Sequence, residues 1–142
     1  MIEKAVDYFS IGFNCAQAVF TPYALAKGFE EKDALKVASS FGAGINEGLV
    51  CGAVIGACLA LGINHGYNDG GDNEAKEKTK NIVASFKQKF REKYGTINCS
   101  ELLGLDMSNP EMKAKAKEEG LFTTKCPEFV KHAAYLVKEL SN

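Results

Sequence analysis

The apolar run LVCGAVIGACLALGI, Leu49 to Ile63, constrains this chain more than any other stretch. It is shorter than the roughly 20 residues that a helix needs to cross a bilayer. A helix this apolar must therefore be buried by the rest of the protein, and a core helix is expected from about Val50 to Leu61. Gly48 just before it and Gly52 and Gly56 within it recur every four residues, with Ala53, Ala57 and Ala60 nearby. Each glycine inside a helix costs about 1 kcal/mol against alanine, so something must approach the backbone closely enough to offset that. Two occupants suit the stripe: another helix, a dimer mate included, or a bulky cofactor or second cysteine beside Cys51.

The rest of the chain reads as helices able to cover such a core. Ile2, Val6 and Phe9 space a first helix that stops before Gly12. Ala16, Val19, Phe20, Tyr23 and Leu25 carry a second, Cys15 to Lys27, which Pro22 is expected to kink or divide. EEKDALKVASSF is a third, with Leu35, Val37, Ala38 and Phe41 inward. A long helix is expected over about Asp72 to Tyr94, its buried stripe Ile82, Val83, Phe86 and Phe90, with Gly95 to end it. CSELLG is short, Pro110 opens another helix, and CPEFVKHAAYLVKEL closes the chain with an amphipathic one. No alternating strand pattern of useful length occurs. The expected fold is all-α, a single-domain bundle of about six to eight helices over residues 1–142.

Charge and composition exclude several functions. Net charge is −1, so no global field would recruit nucleic acid or an anionic membrane. The opening MIEKAVDYFS lacks the basic and apolar regions of a secretory signal. A cytoplasmic, not membrane-spanning protein is expected. In that reducing compartment five cysteines point to metal binding, catalysis or inert packing rather than structural disulfides.

Four of the five read as helix-start residues. Asn14 is an N-cap with Gln17 three residues on, a capping-box pattern that puts Cys15 on the first turn. Asn98 and Glu101 repeat it around Cys99. Pro127 suits the first helical position, which makes Cys126 the cap of the last helix in an extended conformation. Cys51 follows the glycine-rich FGAGINEG into the first turn of the core helix. Free N–H groups and the positive end of the helix dipole favour a thiolate, which is both the nucleophile and the metal-binding form. Cys58 sits mid-helix in the apolar run and reads as packing. His65, in a turn-rich loop, and His132, on the surface of the last helix, form no catalytic pattern.

The wide spacing Cys15–Cys51–Cys99–Cys126 is not that of a zinc finger, and no C-x-x-C is present. A helical bundle can still gather four helix starts at one end. Four converging thiolates would serve an iron–sulfur cluster or a four-cysteine zinc site; the alternative is one or two redox-active dithiol pairs.

With these residues in view, the chain resembles the redox-active family described as C_GCAxxG_C_C, named for four cysteines and a CGAxxG motif. The motif stands here as CGAVIG, Cys51 to Gly56; FNCAQAV, INCSELLG and KCPEFV supply the other cysteines in order. The resemblance implies kinship with a domain of split-Soret cytochromes in which an iron–sulfur centre accompanies haems. No C-x-x-C-H occurs here, so the haem half does not carry over. The leading expectation is an iron–sulfur cluster, two-iron ahead of four-iron, bound by Cys15, Cys51, Cys99 and Cys126 for electron transfer or sensing. Its rivals are a reversible cysteine pair and a zinc or soft-metal module. The redox partner protein stays unidentified, and the small-residue stripe admits a homodimer.

Overall fold

The computed structural model describes residues 1–141, and the all-α expectation holds. Nine α-helices are present among the described residues: α1 Ile2–Ser10, α2 Cys15–Ala26, α3 Glu31–Val37, α4 Gly52–His65, α5 Asn73–Tyr94, α6 Cys99–Leu103, α7 Pro110–Glu118, α8 Leu121–Thr124 and α9 Cys126–Leu140. The short α8 is the helix that hydrophobic periodicity did not reveal. Among the described residues no helix is long and apolar enough to cross a membrane.

The apolar run becomes α4, at the centre. It packs chiefly against α2, and also against α9 and α5. The glycine stripe explains the closeness of α2: a Cβ on Gly56 would stand 2.6 Å from the Ala16 carbonyl oxygen and 3.1 Å from its Cα. Ala16, Ala53, Ala57 and Ala60 are fully buried around this contact. Both occupants expected for the stripe come from within the chain: a neighbouring helix at Gly56 and, as shown below, a cysteine at Gly52.

On the far side, α5 presents Phe86 and Phe90, both wholly buried and with ring centroids 6.0 Å apart. Burying each contributes about 2–3 kcal/mol. Asp72 caps α5 by accepting a hydrogen bond from the Ala75 N–H, and Gly95 ends it in the left-handed conformation. The Tyr23 hydroxyl donates to the Ala134 carbonyl at 2.6 Å, tying α2 to α9 through the core.

Several local expectations are corrected. α2 runs through Pro22 undivided. Burial of Val19, Phe20 and Tyr23 around it outweighs the single hydrogen bond that proline removes. α3 stops at Val37, which is 52% exposed rather than inward. Its buried stripe is Ala34 and Ala38, one helical turn apart, and Val37 lies about 100° round from that face. α4 starts at Gly52 and continues to His65, so that histidine ends a helix instead of lying in a loop. His132 is half-buried, not on the surface: its ring lies 5.6 Å from that of Tyr94 and 6.0 Å from that of Phe90.

Candidate functional site

The first cysteine is positioned by its cap. Asn14 Oδ1 accepts from the Gln17 N–H at 2.9 Å, and Gln17 Oε1 accepts from the Asn14 N–H at 3.0 Å, the reciprocal capping box. The leftover amide donors tie this cap outward, Asn14 Nδ2 to the Ser39 carbonyl and Gln17 Nε2 to the Leu35 carbonyl. Cys15 is thus the first residue of α2 with its backbone fixed on both sides. Its sulfur lies directly against Gly52 of α4, where any side chain would collide with it.

Cys51 and Cys99 are joined by a contact that helical periodicity cannot show. Val50 and Asn98 form an isolated antiparallel bridge. The Cys51 N–H donates to the Ile97 carbonyl at 2.7 Å, and the Cys99 N–H donates to the Leu49 carbonyl at 2.6 Å. Side chains alternate along extended backbone, so the residues flanking the bridged pair share a face. Cys51 and Cys99 are two of them. Cys51 is therefore the N-cap of α4, one position before the first turn, and Cys99 is the first residue of α6.

The second capping box does not form. Asn98 makes no side-chain cap; its Nδ2 donates to Glu101 Oε1 at 2.6 Å, and Thr96 Oγ1 donates to the same oxygen at 3.0 Å. The Asn98 N–H donates instead to Thr96 Oγ1 at 3.1 Å, so the Glu101 carboxylate is held by the two side chains rather than by the backbone N–H that a capping box would offer it. Cys126 is also displaced from expectation. It is the first residue of α9, with Lys125 as cap, rather than an extended cap itself. α8 runs almost directly into α9, so the chain is already helical when it reaches Pro127.

All four cysteines line one cavity of about 260 Å³, walled by Phe9, Phe122 and Phe129 and holding one lysine, Lys113. Cys58 does not line it. Burial pushes the Cys58 thiol up, as for a packing residue. Among the described residues no three of the Cys, His, Asp and Glu side chains are gathered closely enough to hold a single metal ion.

The four thiols are electrostatically unequal. Cys15 is lowered from the ordinary 9.0 to about 7, first because the Cys51 thiol donates a hydrogen bond to its sulfur. Backbone N–H groups of Ala43, Cys15 and Ala16 add to this against the cost of burial. Cys51, the donor, is raised well above its ordinary value by the same bond and by burial. Burial and then the Cys15 charge raise Cys99 to about 11. Cys126 is raised to about 12 by burial and by the charges of Cys15 and Cys99. Of the four, Cys15 is therefore the thiol that ionises most readily near neutral pH.

The Ala43 N–H reaches Cys15 through a strained turn. Ala43, Ile45 and Asn46 have φ of 53°, 56° and 58°, and Gly44 between them 62°. A β-branched residue such as Ile45 is rarely found there. The turn Gly44–Gly48 is closed by the Leu49 N–H donating to the Gly44 carbonyl at 3.0 Å. Such strain concentrates where surrounding structure needs a particular backbone direction. Here the Ala43 N–H at the start of the turn faces the Cys15 sulfur, beside the Cys15 and Ala16 N–H groups of the first turn of α2. FGAGINEG reads from the sequence only as a turn; the Ala43 N–H that it brings to Cys15, and the place of Lys113 in the cavity wall, carry no sequence signal.

The model of the family described as "Putative redox-active protein (C_GCAxxG_C_C)" matches residues 13–140. The chain belongs to that family. In this C_GCAxxG_C_C protein the two motif glycines each have a steric role: Gly52 leaves room for the Cys15 sulfur, and Gly56 admits the α2 backbone. No curated protein and no solved structure matches the chain.

Proposed function

We propose that this redox-active protein uses Cys15, Cys51, Cys99 and Cys126 to hold an iron–sulfur cluster for electron transfer or sensing. The observation that carries the reading is the shared cavity. Four cysteines from four separate segments line one space of about 260 Å³, whereas a dithiol needs only two. The donor set suits a cluster better than one tetrahedral zinc. Cys15 and Cys51 are paired by a hydrogen bond and, among the described residues, no three thiols meet around one point. That favours a two-iron core, held by Cys15, Cys51, Cys99 and Cys126, ahead of a four-iron one. Bound there, such a cluster would gain and lose single electrons.

The chain's own contribution is charge and space. The N–H groups of Ala43, Cys15 and Ala16 face the anionic sulfur, and hydrogen bonds to cluster sulfurs tune a potential in the same way. Phe9, Phe122 and Phe129 limit water in the cavity. The test is removal of thiols one at a time after anaerobic reconstitution. Cys15→Ser or Cys51→Ser should abolish or rearrange the visible absorption, and Cys58→Ser should leave it intact. Equal spectra from all three variants would refute the assignment.

A second reading is favoured by one observation, the Cys15–Cys51 hydrogen bond with its single low-pKa thiol. In it the Cys15 thiolate attacks a partner's disulfide and expels one partner thiolate. Cys51, losing its proton, then attacks the mixed disulfide at the Cys15 sulfur. The intramolecular disulfide closes and the second partner thiolate leaves, so the partner is fully reduced. Mild disulfide oxidant would then remove two thiols together and yield a Cys15–Cys51 linked peptide.

A further inference from the structure

Lys113 stands apart from the other lysines of α7. On a helix, side chains three and four residues apart face one another. Around Lys113 those positions hold Asn109, Pro110, Ala116 and Lys117, so its own helix offers no carboxylate partner. Lys115, two residues on, has Glu111, Glu118 and Glu119 in reach and pairs with Glu119 at 3.9 Å. Lys113 makes no ion pair among the described residues, yet it is half-buried and lines the four-cysteine cavity. Among the described residues it is the one lysine, arginine or carboxylate side chain to do so; the other titratable groups facing the space are the thiols of Cys15 on α2, Cys51 before α4, Cys99 on α6 and Cys126 on α9. A half-buried ammonium without a counter-charge is costly, and negative charge in the cavity relieves that cost.

We propose that Lys113 is the charge-selecting residue of this cavity, favouring small anionic, thiol-reactive or sulfide-bearing guests over neutral ones of the same size. The inference rests on reading the cavity as the working site, but not on what fills it. Its position agrees with the influence of Lys113 on Cys99, whose thiol it favours in the ionised form. Side-chain length lets an ammonium on α7 reach in while the helix itself stays outside the core, where Ala116 is its one buried residue.

The test uses the metal-free protein at one pH and two alkylating reagents, anionic iodoacetate and neutral iodoacetamide. Each forms a carbon–sulfur bond to cysteine and expels iodide. The ratio of their rates at one thiol cancels the thiolate fraction and isolates the local charge. Labelling is read site by site by mass spectrometry, with Cys58 as the internal control outside the cavity. Lys113→Gln should lower the iodoacetate/iodoacetamide ratio at Cys15 about three- to tenfold, the size expected for one nearby charge in a partly aqueous site. Lys113→Arg should keep the ratio, and Cys58 should not respond to either change. In the unsubstituted protein, added salt should lower the ratio at Cys15 more than at Cys58. An unchanged ratio in Lys113→Gln, an equal fall in Lys113→Arg, an equal fall at Cys58, or no differential salt effect would overturn the proposal. Because the assay uses metal-free protein, these outcomes are independent of whether a cluster binds.

Discussion

The sulfur of Cys15 occupies the space that a side chain on Gly52 would need. A Cβ there would also stand 3.0 Å from the Phe41 carbonyl oxygen. Gly52→Ala should therefore destabilise the protein by about 1–3 kcal/mol, as overpacking of a tight core does. It should also displace Cys15 from its N–H groups and slow its alkylation at neutral pH. Urea unfolding and thiol kinetics on the same sample check both effects. A variant as stable and as reactive as the parent would contradict the contact.

Reactivity at Cys15 should depend on its partner. The alkylation rate of Cys15 should titrate near pH 7, while Cys99 and Cys126 stay protonated until far more alkaline pH. Cys51→Ala removes the hydrogen bond that lowers Cys15 most, so the Cys15 midpoint should move upward. Site-resolved alkylation between pH 5 and pH 10 measures it; a midpoint that stays put would exclude the Cys51 thiol as donor.

Stability of the metal-free protein should follow the same asymmetry. Cys15 has a folded value of about 7 against an ordinary 9.0, so the unfolded chain holds its proton longer. Its contribution is present above pH 9 and is lost as pH falls through about 7. Cys51, Cys99 and Cys126 are raised, so theirs is present below pH 9 and is lost as pH climbs through their higher values. Unfolding midpoints should rise from Cys15 between pH 7 and pH 9 and fall from the other three above it. Replacing Cys15 by Ala should flatten the first limb and weaken the second, because Cys51, Cys99 and Cys126 are raised in part by Cys15.

Ile45 holds a left-handed backbone with φ of 56° and is 45% exposed. Little burial is lost on shortening it, and a left-handed non-glycine residue costs about 1–2 kcal/mol. Ile45→Gly should leave stability unchanged or raise it by about 1 kcal/mol, after the extra backbone entropy of glycine is set against the relieved strain. A loss of stability in denaturant unfolding would mean that the isoleucine side chain makes a contact that outweighs its backbone.

Much of this architecture is written in local patterns. The cap at Asn14, the helix start at Pro110 and the stop at Gly95 follow from short-range backbone chemistry and are visible in single motifs. The stripe Phe86–Phe90 and the closing amphipathic helix follow from period. Placing cysteines near helix starts was likewise readable, though Cys51 and Cys126 each lie one position from where spacing put them. The Val50–Asn98 bridge was not readable, because it joins distant residues that carry no strand pattern. The motif at Asn98 copies that of Asn14, but Thr96 two residues earlier takes the Asn98 N–H and shares the Glu101 carboxylate, so the box does not close. The position of Val37 was lost for a different reason: alanines, not the larger residue, form the buried stripe of α3.

The central claim concerns what the four thiols hold, and one measurement tests it most directly. The protein is purified and reconstituted without oxygen, then assayed for iron, acid-labile sulfide and zinc per chain alongside a Cys15→Ser/Cys99→Ser variant. The account predicts iron and sulfide in equal amounts, with visible absorption, in the parent and neither in the variant. Absence of iron and sulfide from the reconstituted parent would contradict it.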